Sequence, residues 1–253
     1  MKTPVIDGQS IDRFIPANLR HMFYRHFMPQ YKYAIHNGYA PYNFPTNGLV
    51  LYLPLWALKG SPIKSVDAYK HSCAITGALW RPYGRYFDGN DDKIDCGDDT
   101  SLDLTTALTI GCWIRTSRAD VDQYLAHRED GTLENYRLGI HSTNKIIGVI
   151  YVAGAAKFHL ATTVLAQDTW YLAAYTYNKV SIQVYLDGVT DGAPTAEAGN
   201  IDNDDVSLVI GLRPAGPDDR QFQGDIGATW IYNRALSAAE ILHIYNATKW
   251  RYQ

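Results

Sequence analysis

From Gly48 onward the chain runs as short segments in which apolar and polar residues alternate, separated by Gly, Asp, Asn and Pro. Side chains along a strand point to opposite faces with a period of two, so this pattern predicts half-buried strands. Their spacing, with turn residues between them, predicts an antiparallel sandwich rather than strand–helix–strand units. Residues 49–55 (LVLYLPL) form the first predicted strand. RYFDG, DKIDCG, ALTIGCWIRT, DQYLAHRE, YRLGIHS, KIIGVIYVA, AKFHLATTV, WYLAAYTYN, SIQVYLDG, VSLVIG and GDIGATWIYN follow. Asp187-Gly188 ends one of these runs with a dipeptide that tolerates positive φ, which predicts a tight turn.

One segment has helical spacing. Ser237 stands three residues before Glu240, so each side chain can satisfy a free backbone N–H of the other in a capping box. Ile241, Ile244 and Tyr245 then supply an inward stripe, which predicts a helix near residues 237–248.

Residues 1–48 hold neither period for long. PANLRHMFYRHF predicts one short helix with Leu19, Met22, Phe23 and Phe27 on a shared face, and an extended arm is expected beyond Pro29. Phe14, Phe23, Tyr24, Phe27, Tyr31, Tyr33, Tyr39, Tyr42 and Phe44 crowd this segment with apolar surface that must be covered. The arm therefore packs either on its own domain or on a neighbouring subunit. The expected division is an aromatic arm over 1–48, for assembly or docking, and a sandwich over 49–253.

Charge sharpens that division. The 253 residues carry a formal charge of −3; the first 48 have a surplus of three positive charges, leaving −6 on the remainder. No Lys/Arg stripe is dense enough to displace many counterions, so a nucleic-acid partner is not expected. No apolar run approaches the roughly 18 residues of a membrane span. The start of the chain lacks the apolar stretch of a secretory signal, so the expected location is a virion or extracellular surface reached after cytoplasmic synthesis. Cys73, Cys96 and Cys112 show no metal-binding spacing; buried thiols are expected, with one disulfide and a leftover thiol as the alternative.

FDGNDDKIDCG, SLDLTTALTIGCWIRT, YRLGI, YTYN…SIQVYLDG, SLVIG and FQGDIGATWIYNRALSAAEI, in that order, resemble the laminin G-like, concanavalin A-like lectin and glucanase superfamily over about residues 49–249. The resemblance implies an all-β antiparallel jelly-roll sandwich with one concave sheet, carrying here the N-terminal arm and the short C-terminal helix. It also implies a ligand site on rim loops. GLVLYLPLW with FDGNDDKI further resembles laminin G-like proteins of bacteriophage and environmental viruses.

The resemblance raises a calcium site in which Asp88, Asn90, Asp91 and Asp92 would be ligands. Gly227 and Ala228 stand where the family usually has an acidic pair, which weakens that expectation, and a turn held by Asx-type hydrogen bonds is the competing one. Catalysis is not expected. Glycoside hydrolysis needs two carboxylates flanking a bond; Glu240 is committed to the helix cap, and Glu129 and Glu134 fall in a Gly-containing turn. His127 and His159 lie in strand patterns and are expected to be structural. Trp113, Trp170 and Trp230 are expected in the core, whereas Trp56, Trp80 and Trp250 lie nearer element ends, where aromatics can stack on sugars.

Two functions follow. One is a non-catalytic structural surface protein, as in a virion's decoration or tail, with the arm binding neighbouring subunits and glycan binding as an added role. The other is a monomeric lectin-like or adhesion module for cell-surface glycan.

Overall fold

A computed structural model describes residues 5–6, 9–10, 44–129, 134–213 and 220–253. The chain divides into two units, Met1–Phe44 and Pro45–Gln253. In the first, Val5–Ile6 (β1) and Gln9–Ser10 (β2) pair as a two-stranded antiparallel ribbon. The expected helix at PANLRHMFYRHF and all the arm aromatics but Phe44 lie outside the described residues; Phe44 is buried.

The second unit holds the sandwich. Its first strands are Leu49–Pro54 (β3), Ile63–Lys64 (β4), Ser72–Thr76 (β5), Leu79–Arg81 (β6), Gly84–Asp88 (β7), Lys93–Asp95 (β8) and Leu108–Thr116 (β9). Gln123–Glu129 (β10), Glu134–His141 (β11), Lys145–Val152 (β12), Ala155–Leu160 (β13), Tyr171–Tyr177 (β14) and Ser181–Leu186 (β15) continue the series. Val189–Thr190 (β16), Thr195–Ala196 (β17), Leu208–Ile210 (β18), Gln223–Tyr232 (β19) and the helix Ala238–Thr248 (α1) complete it.

One sheet has eight strands in the order β13-β12-β11-β10-β18-β8-β5-β4. The other has nine, with a path β16-β15-β14-β9-β19-β7-β6, to which β17 adds beside β15 and β3 beside β19. Every pairing is antiparallel. Between the sheets, Leu53, Phe87, Ile110, Leu125, Tyr175 and Ile210 are fully buried in one continuous core. Asp187 and Gly188 have φ of 51° and 87° and form the tight turn from β15 to β16.

Two arginines tie loops to this core. Arg128 is 1% exposed; it donates to the Val206 and Leu102 carbonyls and pairs with Asp103. Arg85 donates to the carbonyls of Ala78, Leu58 and Gly60, and burial lowers its pKa. Both satisfy carbonyls that no strand pairs.

Ser237 caps α1: its hydroxyl accepts from the Glu240 N–H, and the Glu240 carboxylate accepts from the Ser237 N–H. Arg234 bonds the same carboxylate and is the main cause of its pKa falling to about 2. Among the described residues no helix is long and apolar enough to cross a membrane.

α1 and the residues after it meet the outer face of the nine-stranded sheet. The Trp113 indole donates to Thr248 Oγ1 at 2.8 Å and stacks on Tyr252 with ring centroids 4.4 Å apart. Tyr252 in turn accepts the Ala228 N–H through its phenol oxygen at 2.8 Å. That N–H lies where β19 slips register against β9, between Ile226 and Thr229, just after its other partner changes from β7 to β3. Tyr252→Phe keeps the ring and orphans one buried donor, so a loss of about 1–3 kcal/mol in urea unfolding is expected. A change below roughly 0.5 kcal/mol would show that the donor is satisfied otherwise.

Candidate functional site

Cross-strand partners share a face of a sheet, and the register of four adjacent elements brings one row of chemistry to the outer face of the nine-stranded sheet. Leu79 of β6 lies opposite Tyr86 of β7, Tyr86 opposite Asp225 of β19, and Asp225 opposite Arg115 of β9. Trp170, just before β14, continues the row, because its neighbour Tyr171 pairs with Ile114.

Asp225 organises the row. Its carboxylate is only 5% exposed and accepts from Arg115 Nε and Nη2 at 3.1 and 2.6 Å. Arg81 Nη1 reaches the two carboxylate oxygens at 3.2 and 3.3 Å. The arginine side chains themselves remain 42% (Arg81) and 35% (Arg115) exposed. Each guanidinium also lies over a ring, Arg81 over Tyr86 at 4.0 Å and Arg115 over Trp170 at 5.5 Å. Arg81 Nε and Nη2 and Arg115 Nη1 have no hydrogen-bond partner among the described residues. The row thus presents unused donors of two guanidinium forks, fixed by one buried carboxylate and bounded by aromatic rings.

Beside it the sheet edge is aromatic and basic. Leu79, Trp80 and Tyr83 are exposed, as is Trp250. Trp80 donates to the Trp56 carbonyl at 3.0 Å, and Lys59 lies 4.5 Å over its ring. The Arg251 guanidinium stands 3.7 Å from the Trp56 ring centroid and 4.6 Å from that of Trp250.

Trp113 and Trp230 are buried, but Trp170 is half-buried and belongs to the surface row, tilted against Tyr252 at 4.8 Å. The expectation of a core position for Trp170 is corrected accordingly: it precedes β14, where the outer face is left only partly covered. His159 is buried between the Ile182 and Asp191 carbonyls, and His127 meets the Leu212 carbonyl. Burial is the main cause of the fall in His127 pKa to about 4. Glu129 and Glu134 face each other across β10 and β11. Glu129 is 1% exposed and bound by Arg213 at 3.3 Å and Arg137 at 3.6 Å, an ion-pair role rather than a place on an open cleft.

The FDGNDD loop gathers Asp88, Asp91 and Asp92, whose candidate ligand oxygens lie within 4.8 Å of one another. Internal bonds already engage it. Asp88 accepts from Asn90 N and Nδ2 at 2.8 and 3.0 Å, which lowers its pKa, and Asp92 accepts from Asp88 N at 2.8 Å. Burial raises the Asp92 pKa, and Gly77 packs so closely on its other oxygen that a Cβ there would lie 1.7 Å away. Asp88 faces Gln223 across the ladder, whereas Gly227 and Ala228 lie four and five residues further along β19. At a strand rise of about 3.3 Å per residue, that is at least 13 Å or so from Asp88. A Cβ on Gly227 would instead meet the Tyr252 ring at 2.6 Å. The three carboxylates supply only part of the roughly six to eight oxygens that calcium takes, and carbonyls or water would have to provide the rest.

Two antiparallel sheets around one core, with a capped helix on the outer face, define a concanavalin A-like jelly-roll sandwich. The chain belongs to the concanavalin A-like lectin/glucanases superfamily, whose family model matches residues 88–242. Among solved structures it is similar to the binding domain of Paraclostridial Mosquitocidal Protein 1, with a TM-score of 0.66 and 14% identity over 80% of this chain and 52% of that one. The receptor binding domain of botulinum neurotoxin C/D mosaic serotype gives 0.63, also at 14% identity and over 80% and 52%. The botulinum neurotoxin serotype D ligand binding domain in complex with N-acetylneuraminic acid gives 0.64, with the same identity and coverage. The chain spans about half the length of these structures. No curated protein matches it.

Calorimetric titration of the full chain with calcium, up to about millimolar, is expected to give no saturable heat. A saturable isotherm that disappears in Asp91→Asn would place an ion in the FDGNDD loop.

Proposed function

We propose that this chain is a non-catalytic glycan-binding module whose ligand carries a carboxylate or sulfate. The observation that carries the reading is the Arg81–Asp225–Arg115 arrangement between Tyr86 and Trp170. A guanidinium presents a rigid planar fork suited to oxyanions, and a ring face suits the apolar face of a sugar. The carboxylate of Asp225 balances one of the two cations, so the row keeps one positive charge for an acidic ligand. The similarity in fold to a toxin domain complexed with N-acetylneuraminic acid supports an acidic sugar as the first ligand to try.

Calorimetry with 3′-sialyllactose and with lactose tests this. Sialyllactose is expected to bind at least about tenfold tighter, equivalent to about 1.4 kcal/mol. Arg81→Ala is expected to remove that preference while Arg115 still pairs with Asp225. Equal affinity for both sugars, or an unchanged preference in Arg81→Ala, would exclude this row as the site.

The finer reading places the module on a virion or other extracellular surface, with residues 1–48 binding neighbouring subunits. Support comes from the aromatic content of the arm and from the division of the chain into units Met1–Phe44 and Pro45–Gln253. Light scattering on the full chain beside residues 49–253 is expected to give a defined oligomer for the first and a folded monomer for the second. Two monomers would remove self-assembly through the arm.

A further inference from the structure

We propose that Cys73 and Cys96 form a cross-strand disulfide that fastens β5 to the end of β8. The register pairs Ala74 with Asp95, Ile75 with Ile94 and Thr76 with Lys93, so one step further sets Cys73 directly opposite Cys96. Directly opposed residues of an antiparallel pair have Cα atoms about 4.5–5.5 Å apart with side chains on one face. That separation lies inside the range of about 4.4–6.8 Å over which a disulfide closes without moving the backbone. Both residues belong to the same buried core, 0% and 3% exposed, and both are free thiols in the structure. Cys112 is in the other sheet, opposite Ala173 and Thr229.

The bond would close residues 74–95, the segment that carries Leu79, Trp80, Arg81, Tyr83 and Tyr86. Its place in the fold therefore couples the attachment of the exposed aromatic edge to the redox state of the chain. Closing such a loop narrows the unfolded ensemble and stabilises the folded form.

The chemistry needs an oxidant of the small-molecule disulfide class, such as oxidised glutathione. A thiolate of one cysteine attacks a glutathione sulfur and expels one glutathione thiolate, giving a mixed disulfide. The second cysteine thiolate attacks the protein sulfur of that adduct and expels the other glutathione. Two protein thiols become one disulfide, one oxidised glutathione becomes two reduced molecules, and the two thiol protons pass to them.

The full chain should be unfolded, refolded in oxidised glutathione, alkylated and digested without reductant, with a sample refolded in dithiothreitol beside it. The expected result is a single linked peptide pair holding Cys73 and Cys96, with Cys112 alkylated. The oxidised sample is also expected to melt roughly 5–10 °C above the reduced one. Alkylation of all three cysteines after oxidative refolding, or a dominant link through Cys112, would overturn the assignment. Native protein incubated with the same oxidant adds a second arm: a Cys73–Cys96 link appearing there shows that the folded register itself suffices.

Discussion

The sandwich depends on one irregularity in β19, at Gly227 and Ala228. This strand pairs with β9 along one side, and on its other side it meets β7 over its first half and β3 over its second. Against β9 its register slips between Ile226 and Thr229, and the Ala228 N–H lies within that slip. A buried N–H without a partner is costly, and the Tyr252 phenol oxygen removes that cost from a position near the end of the chain. The ring reaches the spot only because residue 227 has no side chain. Its stacking on Trp113, whose indole bonds Thr248, then fixes where α1 lies. Gly227 and Ala228 thus lie under an aromatic seal.

Asp225 is better understood as a geometric device than as a source of stability. Removing a carboxylate from water costs several kcal/mol, and pairing it with arginines offsets that without guaranteeing a surplus. What the pairing does is hold two like charges on adjacent strands in fixed orientations. A planar guanidinium keeps its fork when one side of it is engaged, so Arg81 and Arg115 each commit some donors to Asp225 and leave others facing solvent. The Tyr86 and Trp170 rings bound the remaining space, with their centroids 4.0 Å from Arg81 Cζ and 5.5 Å from Arg115 Cζ. An ammonium group would not be oriented in the same way.

Much of this fold was legible in the sequence, because alternation and turn chemistry are local signals. The strands with clear alternation or β-branched runs, from LVLYLP to QGDIGATWIY, coincide with β3, β7 to β15, β18 and β19, and Ser237 with Glu240 marks the start of α1. The short strands β4, β5 and β6, at or next to a sheet edge, were not legible: SCAIT and LWR are too brief to show a period, and pairing alone makes them strands. The surface row was hidden for another reason. Arg81 and Asp225 are 144 residues apart in sequence, and only the register of β6, β7 and β19 brings them together. Arg115 did carry a local hint, since it falls two residues after Trp113 on the same face of β9. Trp170 resembled a core residue because it adjoins a strand whose other large side chains are buried. The aspartates of the FDGNDD loop stand out through composition, which cannot distinguish ligands from a turn bonded to itself.

The exposed residues of β6 raise a physical problem whose solution bears on function. An edge strand with free backbone groups and apolar side chains invites pairing with other chains. Here the strand is only three residues long and is followed by Pro82, and cations lie over its rings and at its end: Lys59 on Trp80, and Arg81 bound to Asp225. These features oppose continuation of the sheet by a further strand, yet they leave Leu79, Trp80 and Tyr83 in water. Leu79, opposite Tyr86, shares the face of the two oriented guanidinium groups, whereas Trp80, opposite Arg85, faces the other way; the rings beside the guanidinium donors are therefore those of Tyr86 and Trp170.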